Sequence, residues 1–151
     1  MTSRITCDLL RVWRFVHERT GLALSHTSTA LGQLDRDGRE LQIGVVYEGY
    51  NGSNVWMHVA VAPGVVPLRQ FVRHVFAYPF DDLGVRRITG WVAASNMAAR
   101  RLNEHLGFRL EATLSEAEEG GDDALVYVMR REDCRVLRAP SVAGSSINQE
   151  S

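Results

Sequence analysis

The spacing of apolar residues changes several times along the chain, and each change marks a new element. Leu9, Val12, Trp13 and Val16 recur at helical spacing between Leu9 and Arg19, and Gly21 can end that helix. Ala30 to Asp35 reads as a short strand, followed by a turn at Arg36-Asp37-Gly38-Arg39. Glu40 to Tyr50 returns with Leu41, Ile43, Val45 and Tyr47 at alternate positions, and Asn51-Gly52-Ser53-Asn54 supplies the next turn. Val55 to Ala62 sets Val55, Met57, Val59 and Val61 against Trp56, His58, Ala60 and Ala62, the period of a strand. Pro63-Gly64 breaks it. A helix is predicted from Pro67 to Leu83, with Leu68, Phe71, Val72, Val75 and Phe76 inward and Pro79 kinking it or ending it early.

The second half is more specific. Ile88 and Val92 mark a strand bounded by Ser95-Asn96, whose side-chain oxygens can accept from the unpaired amides of a helix start. Ala98, Leu102 and Leu106 continue at helical spacing, and Gly107 can adopt the left-handed conformation that stops a helix. Phe108 to Leu114 and Ala124 to Arg130 read as a final antiparallel pair joined by the acidic loop 115–123. The order is therefore helix, three antiparallel strands, helix, strand, helix, two strands, within one domain spanning residues 1–138. From Ala139 the chain is rich in Ser, Gly and Asn with little to bury, so residues 139–151 are expected to be disordered.

Strand, Asn-capped helix and Gly-Phe stop (Asn96, Ala99, Leu102, Gly107, Phe108) resemble the acetyl-CoA-binding half of the GCN5-related N-acetyltransferases. The resemblance covers Ala30 to Arg131. Residues 55–63, the junction 83–88 and residues 96–108 look most like phage- and prophage-encoded members. It implies an α/β (α+β) fold: a mixed, mostly antiparallel sheet of about six to seven strands flanked by helices.

Bulk properties agree with a single enzyme-sized domain. A chain of 151 residues can bury one good core, and 45% hydrophobic with 23% charged residues is ordinary for a globular protein. No apolar run approaches the roughly 20 residues of a membrane span, and the N-terminus lacks a signal-peptide core. A cytoplasmic location without membrane attachment is the expectation. Net charge is −1, so nothing marks a nucleic-acid partner. All 17 basic residues are arginine, which excludes Schiff-base and P-loop chemistry that requires lysine. Cys7 and Cys134 have no metal-ligand spacing and read as reduced structural thiols; no metal is implied.

In the family the resemblance points to, two neighbouring strands splay apart and pantetheine pairs with the exposed edge. Those strands would be Val55 to Ala62 and Arg86 to Ala93, with Val59 and Val61 along the edge and Asn96 opposite. Pyrophosphate would meet the start of the next helix at Gly64, Val65 and Val66, with Arg69 in support and Arg100 or Arg101 near the nucleotide. The chain departs from the pattern twice. Its loop, Pro63-Gly64-Val65-Val66-Pro67, has one glycine, and Pro67 lacks an amide donor. Asn103 stands where members often carry an acidic tyrosine, leaving His105, Tyr127 and Tyr47 as other acids.

For the general base, His58 lies mid-strand, and the ordinary imidazole pKa of about 6.5 suits an ammonium near neutrality. A hydrogen-bonded core histidine has the same pattern. Glu48, acting through water, is the alternative. The acidic loop can steer a cationic amine. The resemblance implies transfer of acetyl from acetyl-CoA to a small-molecule or peptide amine by direct attack, in a monomer or a homodimer. A non-catalytic acyl-CoA-binding or interaction protein with the same fold is the competing reading.

Overall fold

The computed structural model describes residues 3–138. The elements in chain order are β1 (Ile5–Thr6), α1 (Leu9–Thr20), β2 (Thr29–Leu34), β3 (Leu41–Glu48) and β4 (Asn54–Val61). There follow α2 (Arg69–Ala77), β5 (Arg87–Ala93), α3 (Met97–Leu106), β6 (Arg109–Leu114) and β7 (Ala124–Arg130). They form one seven-stranded sheet in the order β1-β2-β3-β4-β5-β7-β6. Every neighbouring pair is antiparallel except β4 and β5. The fold class expected from the sequence is therefore the one observed. The expected disorder of residues 139–151 concerns positions outside the described residues.

Helices cover the two faces of this sheet. On one face α1 packs Val12, Phe15 and Val16 against Ala30, Val46 and Ala60. It comes close because Gly44 has no side chain: a Cβ there would lie 2.8 Å from a Val16 methyl. On the other face α2 contributes Phe71, Val75 and Phe76 to a core shared with Val45, Met57, Ile88, Phe108 and Tyr127. Burying these aliphatic and aromatic side chains supplies most of the driving force for folding.

Two sequence expectations are corrected. The helix expected over Pro67 to Leu83 is α-helical only from Arg69 to Ala77, then widens into a π-helical turn at Tyr78–Asp82. Pro79 has no N–H to donate, so the ladder skips a residue and Leu83 N–H reaches Tyr78 O at 3.0 Å. In addition, the two-residue strand β1 pairs with β2, which the sequence reading left without a partner on that side. Two residues are too short for any periodicity to register.

α3 begins and ends as its sequence suggests. The Asn96 side chain accepts from Ala99 N–H at 3.1 Å, and Gly107 closes the helix at φ 113°. Gly107 has a second reason to be glycine. A Cβ there would lie 2.2 Å from the Asp133 carbonyl oxygen, which belongs to the turn after β7. Gly21, which closes α1 at φ 75°, has open space around it. Gly107→Ala should therefore destabilise the fold by on the order of 3 kcal/mol in urea denaturation, and Gly21→Ala by only about 1 kcal/mol. Equal losses would mean that the Asp133 contact carries no weight.

Candidate functional site

The site originates in the one parallel pairing of the sheet. β4 and β5 are in register only at Asn54↔Arg87, Val55↔Ile88 and Trp56↔Thr89. Beyond that point β4 follows β3 as far as Val61↔Ile43, while β5 follows β7 as far as Ala93↔Ala124. The two strands part, and the facing edges of residues 57–61 and 90–93 have no strand partner. Backbone amides and carbonyls on such an edge stay available to an extended ligand.

The opening is a cleft of about 930 Å³ lined by residues of both faces of the sheet. On the α2 and α3 side its walls are Met57, Val59 and Val61 of β4, Phe71, Val75 and Phe76 of α2, and Asn96, Ala99, Leu102 and Asn103 of α3. Val59 and Val61 keep 38% and 37% of their surface exposed, although both are apolar and lie mid-sheet. That surface faces the gap. On the α1 side the walls are His58, Trp91, Glu118 and the end of α1 at Arg19, Thr20, Gly21 and Leu22.

His58 and Glu48 form a pair. His58 is opposite Val46 and Glu48 is opposite Trp56 across β3 and β4, so both side chains rise from the α1 face. His58 Nε2 and Glu48 Oε1 are 2.9 Å apart, with about a fifth and a quarter of the side chains exposed. With Nε2–H donated to the carboxylate, Nδ1 carries the imidazole lone pair. The sequence reading set these residues as rival bases; the tertiary structure makes them neighbours.

The remaining predicted residues divide into those that line the cleft and those that do not. Val59, Val61 and Asn96 line it. Gly64, Val65 and Val66 form the loop leading to α2, with Gly64 at φ 74° and Val66 80% exposed. Arg69 is the first residue of α2 and is exposed. No side chain caps α2, so its first-turn amides keep free donors beside that loop. Arg100 turns back onto the end of β5, donating to Ala94 O at 3.0 Å, and Arg101 is exposed; neither lines the cleft.

The acid candidates also separate. Asn103 is at the cleft wall, whereas His105 is exposed on α3 away from it. Tyr47 is buried and donates its hydroxyl to Val75 O at 2.6 Å, and burial pushes its pKa well above the usual phenol value. It cannot deliver a proton to the cleft. Tyr127 is also buried and bonds Glu104 at 3.3 Å. Both cysteines are free thiols, Cys7 exposed and Cys134 buried, and neither lines the cleft.

Trp91 and Glu118 were not singled out individually by sequence reasoning. Trp91 alternates with Ile88 and Val92, whose side chains enter the core, so its ring lies on the α1 face of β5. Its indole N–H donates to the Glu118 carboxylate, which draws the acidic loop over the cleft. An aromatic residue on the otherwise polar face of a strand was the available signal. The loop is tied down by Asp122, which accepts from Ser95 N–H at 2.9 Å, and by Ala94 N–H donating to Asp123 O at 2.8 Å. No helix among the described residues is long and apolar enough to cross a membrane.

No family model matches this chain, and no curated protein matches it in sequence. Solved structures do match. A point variant of spermidine N-acetyltransferase SpeG from Vibrio cholerae superposes with a TM-score of 0.70 at 18% identity, covering 83% of this chain and 94% of its own. The Vibrio cholerae spermidine/spermine N-acetyltransferase SpeG in complex with manganese ions gives a TM-score of 0.68 at 18% identity, over 83% and 91% of the two chains. A dodecameric structure of the spermidine N-acetyltransferase of the same organism gives 0.68 at 17% identity, over 87% and 96%. The chain therefore has the fold of the GCN5-related N-acetyltransferases.

The Asp122 tether has a definite pH dependence. The Ser95 hydroxyl and backbone N–H donate to its carboxyl and hold it below the usual carboxylate range. A depressed carboxyl contributes stability above the unfolded-state pKa of about 4 and loses it as pH falls through the lower folded value. Asp122→Ala should speed amide hydrogen exchange in residues 116–123 at neutral pH. The unmodified chain should show comparable opening, corrected for intrinsic rates, only in acid below about pH 4. Unchanged exchange in the variant would exclude the tether.

Proposed function

We propose that this protein is an acetyl-CoA-dependent N-acetyltransferase acting on an amine by direct attack. The observation that carries the reading is the gap between β4 and β5, lined from both faces of the sheet and bordered on the α1 face by His58, which is paired with Glu48. Acetyl-CoA, when bound, supplies the thioester from which acetyl is transferred. The free edge at Val59 and Val61 suits the amides of its pantetheine arm, and the amides around Gly64 to Val66 and the start of α2 suit its pyrophosphate. Arg69 adds a charge beside them. Asn96 borders the arm from the other side, while Arg100 and Arg101 flank the α3 end.

His58 takes the proton from the acceptor ammonium at Nδ1. Glu48, bonded to Nε2, fixes that tautomer and stabilises the imidazolium that forms. The amine lone pair then makes the C–N bond as the C–S bond breaks. Strand-edge amides polarise the carbonyl. The sulfur leaves as a thiolate. The second nitrogen proton, shed as the amide forms, passes through solvent to the departing thiolate, so Asn103 in place of an acidic tyrosine does not block the step. With no cysteine in the cleft lining, no acyl-enzyme is invoked.

Trp91 and Glu118 favour a cationic acceptor, a small molecule or a peptide amine. Within this proposal the reaction is cytoplasmic, needs no metal and takes place in a monomer or a homodimer. The likeness to phage-borne members has support from the sequence segments alone. The competing reading, a non-catalytic acyl-CoA-binding protein, is favoured by the single-glycine loop and by Asn103.

Isothermal titration with CoA should give saturable heat together with a rise in melting temperature. No heat and no thermal shift at millimolar CoA would end both readings. His58→Gln should keep CoA binding, lower turnover on the order of 10²-fold and remove the acidic limb of the pH–rate profile. Unaltered turnover would discard His58 as the base. Tight CoA binding by the unmodified chain, with no amine of a broad screen acetylated, would leave the binding-protein reading.

A further inference from the structure

Among the described residues, Gln33 is the one fully buried side chain that is an amide. It lies on β2 at 0% exposure and does not itself line the cleft. Its three side-chain hydrogen bonds converge on one region. Its oxygen accepts from Leu68 N–H at 2.7 Å, and its nitrogen donates to Val66 O at 3.2 Å and to Gln42 Oε1 at 3.1 Å. Gln42 in turn receives Arg4 at 3.2 Å, and its backbone carbonyl takes Ala62 N–H at 2.8 Å. The loop between β4 and α2 is therefore pinned at both ends, by Gln42 where it leaves the strand and by Gln33 where it enters the helix.

This loop lacks the devices that usually order a phosphate-holding turn. It has one glycine, at φ 74°, and Pro67 contributes no donor. Leu68 at the N-cap has no side chain able to bond the first turn of α2. A buried amide that supplies an acceptor to the Leu68 N–H and a donor to the Val66 carbonyl does from below what a capping residue and further glycines do from within. Burying an amide is unfavourable unless it is hydrogen-bonded, and here each bond it makes fixes this loop or the Gln42 that holds it.

We propose that Gln33 is a positioning residue for nucleotide binding. By holding the Val66 carbonyl inward and Leu68 in place, it presents the loop and first-turn amides to a pyrophosphate as a preorganised set of donors. The proposal rests on the transferase reading for the identity of the ligand. It makes a narrower claim, because Gln33 touches neither the thioester nor the acceptor. Its loss should affect the pyrophosphate half of the cosubstrate and spare the pantetheine half.

Gln33→Met keeps length and approximate volume while removing both loop bonds. Gln33→Glu keeps an acceptor for Leu68 N–H, loses the donor to Val66, and sets an acid beneath the loop. Titration with CoA should show dissociation constants raised about tenfold by Gln33→Met and further by Gln33→Glu, the scale of a lost ordering hydrogen bond. Acetyl-pantetheine, which has the same thioester and no pyrophosphate, should be used by both variants with unchanged kcat/KM. Hydrogen exchange of the amides of residues 64–71 should be faster in both variants with no CoA present, and that of β2 and β3 unchanged.

An equal loss for acetyl-CoA and acetyl-pantetheine would reduce Gln33 to a general core residue and overturn the proposal. So would CoA affinity within twofold of the parent, or unchanged exchange in the loop. If one variant fails to fold, the other decides. A parent chain that binds no CoA would bring down the transferase reading by itself, and the exchange comparison would still decide whether Gln33 orders this loop.

Discussion

Three aligned residues on each of β4 and β5 join the two halves of the sheet, and the rest of the structure depends on how briefly they do so. Were the parallel pairing to continue, the sheet would be closed and the gap would not exist. It ends because each strand is already committed on its outer side, β4 to β3 and β5 to β7, and each follows that partner. Neighbouring strands in a sheet rotate relative to one another. A parallel pair joined by a crossover has no hairpin to keep its far ends together. Separation therefore sacrifices only the inner pairing of a few residues. What it leaves is an edge whose polar groups want a partner.

Both rims of this opening are held by close contacts, most of them between residues distant in sequence. On the α2 rim Gln33 and Gln42 fasten the loop 62–68 from below. On the α3 rim Asn96 caps the helix, and Gly107 lets the chain pass against the Asp133 carbonyl. The acidic loop is fastened to the end of β5 through Asp122 and Asp123, and its Glu118 reaches the Trp91 indole. On the α1 face, close approach of the helix over Gly44 brings residues 19–22 to the cleft. These contacts make the gap a shaped site.

Much of this was legible in the sequence wherever the signal was periodic or was a single residue type with a fixed conformational role. The alternation at Val55 to Ala62, the Asn96 cap and the Gly107 stop each depend on neighbours a few residues away, and each element formed there. β1 was not legible, because two residues have no period and their order comes from pairing with Gln33 and Gly32. The π-helical turn was half legible: Pro79 announced a disruption without saying that the chain would widen its helix to accommodate it. Tyr47 and Tyr127 looked like acids only because sequence alternation does not reveal which face of a strand is covered by helices.

By itself the sequence determined the kind and order of the elements after β1, the polar positions at their ends, and the placement of His58 opposite the apolar face of its strand. Those properties follow from backbone sterics and from the burial of one face, which act over short stretches of chain. Only the tertiary structure decided that β4 and β5 part after three pairs and that Glu48 lies 2.9 Å from His58. It also decided that a glutamine on β2 holds a loop more than 30 residues away. Such outcomes depend on register, twist and contacts between segments far apart in the chain, which no local pattern encodes.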